Sequence, residues 1–163
     1  MLFLTQKTLA LQLLVRYSLV MPCIIYKTLK RVGVLEKKIE NCVAFTLKKI
    51  NKSKKEISVH IVGENKIRSL NFLFRGLDRP TDVLSFSVGD GEKFFLSDDL
   101  GDIFICLPYI KKQAKENEVT LEEEFFRMLI HGILHLCGHD HEDKKEAEAM
   151  FSRQERILSN FFS

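Results

Sequence analysis

Four of the chain's five histidines fall within eleven residues, His131-Gly-Ile-Leu-His135-Leu-Cys-Gly-His139-Asp-His141, and no other stretch restricts the fold so tightly. Positions i and i+4 of a helix lie on one face, one turn apart, so His131 and His135 present their imidazoles side by side. Gly138 is a natural helix end, because glycine alone takes the left-handed cap conformation cheaply. Beyond it the chain can reverse and bring His141 back toward the other two. Three neutral imidazoles with a fourth position open is the ligand set of a catalytic zinc rather than a closed structural one.

The same residues have a plainer reading, in which each histidine is a hydrogen-bonded core residue. The predicted helix from Leu121 to Cys137 is apolar on most sides, with Phe125, Phe126, Met128, Leu129, Ile130, Ile133, Leu134 and Leu136. Two imidazoles in such a helix cost about 1–3 kcal/mol each unless partnered, and a shared cation partners both. The spacing therefore favours the metal. His139, beside the turn, is expected to be exposed or to support a ligand, and Cys137 to be a packing residue.

Residues 131–141 also fit H-x-x-x-H-x-x-G-x-x-H, the ligand frame of the metzincin proteases. Those enzymes carry a glutamate directly after the first histidine as general base. Gly132 stands there in this chain and cannot take a proton. The metal frame is kept while the peptidase base is missing.

The chain of 163 residues, 45% hydrophobic, is long enough for one unified core. Four cysteines without a CxxC pair suit a reducing compartment, with small buried thiols. Charge is uneven: residues 1–56 hold twelve Lys/Arg against three acids, and residues 57–163 hold thirteen against nineteen. That polarity suggests an anionic partner, nucleic acid first, although a solvated lysine face would give the same count. Arg16 interrupts the early apolar stretches, which are too short to span a membrane, so a cytoplasmic chain with no membrane partner is expected. One domain over 1–163 follows, with residues 1–20 read as a poorly ordered extension.

Hydrophobic periodicity predicts a strand near 19–26, a helix over 34–50, a strand over 57–62 and a helix over 64–74. Strands over 81–88 and 100–106 flank a loop or hairpin tip at 90–93. Helices follow over 107–118, from the cap at Thr120, and along the last segment, where Met150, Gln154, Ile157 and Leu158 share a side. Strands and helices mix without a strict βαβ rhythm, which makes the fold class α+β. Arg75 stands where a helix gives way to the turn Gly76-Leu-Asp-Arg-Pro80, in the run Asn71-Phe-Leu-Phe-Arg75 to Pro80-Thr-Asp82-Val-Leu-Ser-Phe86. Such loop positions concentrate function, and a guanidinium forks onto phosphate, although a lone arginine is more often a solvated charge.

The histidine run, the Arg75 to Phe86 block and Leu100-Gly-Asp-Ile-Phe-Ile together resemble the YbeY family of metal-dependent endoribonucleases over residues 57–160. The resemblance implies a compact α+β fold, zincin-like around the metal helix. It implies one zinc held by His131, His135 and His141, with Arg75 as the functional arginine. It further implies action on ribosomal RNA of the small subunit, in maturation of its 3′ end and in ribosome quality control. At His139, where the family commonly has tyrosine, this chain departs from the pattern. Asp102 and Asp140 are candidates to orient a ligand imidazole, or simply turn and cap residues. A hydrolase of another substrate class and a non-catalytic ribosome-associated zinc protein remain alternatives, and the oligomeric state is open.

Overall fold

Among residues 22–88, 98–139 and 143–163, which a computed structural model of the chain describes, four strands and five helices form. They run β1 (Cys23–Lys27), α1 (Glu36–Lys49), β2 (Glu56–Val62), α2 (Glu64–Arg75), β3 (Val83–Ser87), β4 (Asp99–Cys106), α3 (Leu107–Glu116), α4 (Leu121–Leu136) and α5 (Lys144–Phe162). The strands make one mixed sheet in the order β1-β2-β4-β3, parallel except where β3 pairs antiparallel with β4. The architecture is the α+β one expected, and the predicted elements lie where periodicity put them. The loop expected at 90–93 and the extension expected at 1–20 lie outside the described residues.

Alternation along the strands assigns the two sheet faces. Val59 and Ile61 of β2 and Ile103 and Ile105 of β4 point into the main core, against α1 and α4. Val62, Leu84 and Cys106 point the other way and pack with Ile67 of α2. Helix α4 is apolar nearly all round because it is central: Phe125, Phe126, Leu129, Ile130, Ile133 and Leu134 are fully buried, and it touches α1, α3, α5, β3 and β4. Each such side chain contributes about 1.5–3 kcal/mol of burial. The helix begins at Thr120, whose Oγ1 accepts the Glu123 N–H at 3.1 Å, as the sequence predicts. It ends before Gly138, which takes φ +80°.

Two glycines hold the layers close. A Cβ on Gly132 would sit 2.9 Å from Ile103 Cγ2 and 3.0 Å from Ser85 Oγ, so this face of α4 lies directly on the sheet. Gly132→Ala is expected to destabilise the fold by about 1–2 kcal/mol in chemical denaturation, overpacking outweighing the better helix propensity. In β4 the register against β2 slips between Glu56 and Ser58, and Gly101 there takes φ +126°. Among the described residues no helix is long and apolar enough to cross a membrane.

Candidate metal centre and cleft

The i, i+4 spacing on α4 brings His131 Nε2 and His135 Nε2 to 3.1 Å, with the rings crossed at 78°. Two nitrogens bound to one tetrahedral zinc at about 2.05 Å would stand about 3.3 Å apart. The pair therefore fits a shared cation. His131 Nδ1 lies 2.9 Å from Gln154 Oε1, and Gln154 Nε2 donates in turn to Glu155 Oε1 at 3.0 Å. An amide oxygen only accepts, so Nδ1 carries the hydrogen and the lone pair of Nε2 faces His135. Gln154 is buried on α5, and Glu155 is held by Arg127, which also binds Glu123 and Glu124. Phe151, one turn back on α5, lies nearly parallel to the His131 ring at 6.1 Å between centroids.

His131 and His135 open into a cleft of about 710 Å³, whose other wall comes from α2 and β3 and includes Phe74, Arg75, Asp82, Ser85 and Phe86. Arg75 reaches it because α2 stops there: Gly76 turns left-handed at φ +70°, with its N–H on Phe72 O and that of Leu77 on Asn71 O. The turn that follows is tied down at both ends. Asn71 Nδ2 donates to Arg79 O at 2.8 Å, while Asp82 accepts the Val83 N–H at 2.8 Å and Gln113 Nε2 at 3.0 Å. Asn71 and the Pro-Thr-Asp run are thus the brace that aims the arginine. Arg75 itself is exposed and has no carboxylate partner among the described residues. Among those residues nothing neutralises its charge, which faces the cleft's lining.

His131, His135 and Arg75, separated by as many as sixty residues in the chain, line one cavity. The third predicted ligand, His141, and Asp140 beside it lie outside the described residues, among which no group of three His, Cys, Asp or Glu is set to hold a metal. Asp102 does not orient either imidazole. It points to the sheet face away from α4, where its Oδ1 lies 2.6 Å from His60 Nε2 in a row that stacks Tyr26, His60 and Phe104. Its neighbours Ile103 and Ile105 take the α4 side, and alternation sends Asp102 the other way. The orienting role falls instead to Gln154, whose sequence signal was a single amide on the apolar side of the last helix.

His139 is half-buried and turns toward α5, where its Nε2 accepts from Arg153 Nη1 at 2.9 Å. Burial, and then the Arg153 charge, hold its pKa below the ordinary histidine value. Cys137 packs at the core edge as expected, and burial raises its thiol pKa against the opposing pull of Lys52. Cys23 and Cys42 are buried thiols pushed up to about 12 by desolvation. Gly132 explains why a metzincin-type base is absent: the position after His131 faces the sheet, with no room for a carboxylate.

The family model described as Endoribonuclease YbeY matches residues 26–162 of the chain. An Endoribonuclease YbeY of Persephonella marina is 42% identical over 141 residues, covering 86% of this chain and 92% of the relative. One from Aquifex aeolicus is 41% identical over 130 residues, covering 80% of this chain and 85% of the relative. A solution structure of a Thermotoga maritima protein superposes with a TM-score of 0.58 at 34% identity, over 85% of this chain and 89% of that one.

Proposed function

The chain belongs to the YbeY endoribonuclease family, and from that premise we propose that it cuts single-stranded RNA at a zinc ion held by His131, His135 and His141. The observation that carries the reading is the meeting in one cleft of two imidazoles and an arginine that has no carboxylate partner among the described residues. A zinc bound there would supply Lewis acidity and a water acidified toward neutrality. Gln154 holds the His131 tautomer and orientation, so the Nε2 of that ring is turned toward the ion's place before it binds. Arg75 forks onto the non-bridging oxygens of the scissile phosphate and offsets the charge that grows as the phosphorus gains its fifth substituent. A water acidified by an ion held there would stand in for the missing carboxylate base. Ribosomal RNA of the small subunit, at its 3′ end and in quality control in the cytoplasm, is the substrate setting we infer from the family.

Peptidase chemistry is disfavoured by Gly132, because no carboxylate can stand there. The test is cleavage of structured RNA and of casein by purified, zinc-loaded protein. Arg75→Ala is expected to lower RNA cleavage by about 10²–10³-fold, the effect of removing one donor from a developing anion, while zinc content stays at one per chain. Casein cleavage with intact RNA would reject the reading. So would full RNA cleavage by the arginine variant.

A further inference from the structure

Helix α5 carries two arginines that the cleft leaves unused. Arg153 and Arg156, three residues apart and so neighbours on the helix surface, line a second cavity of about 470 Å³ with Gly138 and His139 at the end of α4. The bond from Arg153 Nη1 to His139 Nε2 ends on a lone pair, not on a carboxylate, so it orients the guanidinium and leaves its charge in place. Two other arginines are spoken for: Arg127 on α4 binds three glutamates, and Arg68 on α2 is forked onto Asp78. Arg153 and Arg156 form no ion pair among the described residues, not even with Glu146 in the same wall. Unneutralised guanidinium groups in a concave, partly dehydrated wall are arranged for an anion.

We propose that His139, Arg153 and Arg156 form a second phosphate-binding subsite, which takes an RNA backbone phosphate beyond the one cut at the imidazole pair. The inference rests on the nuclease reading. It adds to it a second point of contact: Gly138 and His139, which follow the helix bearing His131 and His135, line this pocket, so a strand held at the imidazole pair would have a further phosphate to place here. The contacts are to phosphate and carry no base preference, so they add affinity and register without sequence choice.

The experiment measures equilibrium binding of the full chain to a mixed-sequence, fully 2′-O-methylated single-stranded oligonucleotide across a salt series. Each phosphate contact contributes about −0.7 to the slope of log Kobs against log salt on a single strand. Arg153→Ala is expected to flatten the slope by about 0.7 and to weaken binding several-fold, with Arg153→Lys restoring the slope. Arg156→Ala, at an exposed position where folding is not at issue, is expected to act the same way. Arg68→Ala, whose charge is already matched by Asp78, leaves the slope alone. A steep wild-type slope left unchanged by both the Arg153 and Arg156 substitutions overturns the subsite while the nuclease reading stands. A wild type without salt-dependent RNA affinity overturns both.

Discussion

Alanine at His135 is expected to cost the protein its zinc and, with it, more than about 10²-fold in RNA cleavage, since even the outer partners of metal ligands cost about 10–100-fold. The reasoning is geometric. Gln154 places the His131 hydrogen on Nδ1, so the lone pair of Nε2 on the far side of the ring calls for a cation or a donor in front of it. His135 supplies the other half of that position at 3.1 Å. With one half gone, a single described imidazole faces the cleft, and two-point capture of the ion is lost. Metal analysis of protein purified without chelator, beside RNA cleavage, measures both effects. Stoichiometric zinc in His135→Ala would break the assignment of this pair. Gln154→Leu is expected to sit between the two, weakening zinc about 10–100-fold in a competitive chelator titration while the fold survives.

The largest effect on stability is expected from Gly101→Ala, far from the chemistry. A Cβ at that position would lie 2.0 Å from the carbonyl oxygen of Phe86, an atom of the neighbouring strand's backbone that cannot swing aside. The φ of +126° adds its own penalty for any side chain. Backbone strain of about 1–3 kcal/mol and a comparable overpacking cost combine to about 3 kcal/mol or more. For a domain of this size that lowers Tm by about 10 °C. Thermal melts of zinc-loaded protein measure it, and a Tm within 2 °C of wild type would mean that the strands part without cost. Because β3 carries Ser85 and Phe86 into the cleft, the same change is expected to disturb the wall opposite the imidazoles.

What could be read in the sequence was local. Thr120 and Gly138 bracket α4 because an N-cap hydroxyl and a left-handed glycine act within a few residues of themselves. The i, i+4 spacing of His131 and His135 fixes their relative placement with no help from the rest of the fold. Arg75 was marked by the turn after it, and it lines the same cleft as the two histidines. What was misread or unread depends on contacts across the chain. Asp102 looked like an orienting carboxylate, yet the pleat of β4 was enough to place it opposite Ile103 and Ile105, away from the metal helix. Gln154 lies 23 residues from His131 and has no motif; only the packing of α5 on α4 brings the amide to the ring. The bulge at Gly101 hid inside a run that reads simply as an apolar strand.

The seat of Gln154 has a consequence for timing. The arginine, both described imidazoles and the helix that bears them all precede α5 in the chain and so are synthesised before it. A nascent polypeptide lacking α5 has no amide to fix the His131 hydrogen and no Phe151 ring beside it. The orientation of that imidazole is therefore the last part of the centre to be set, and it waits for the end of the chain.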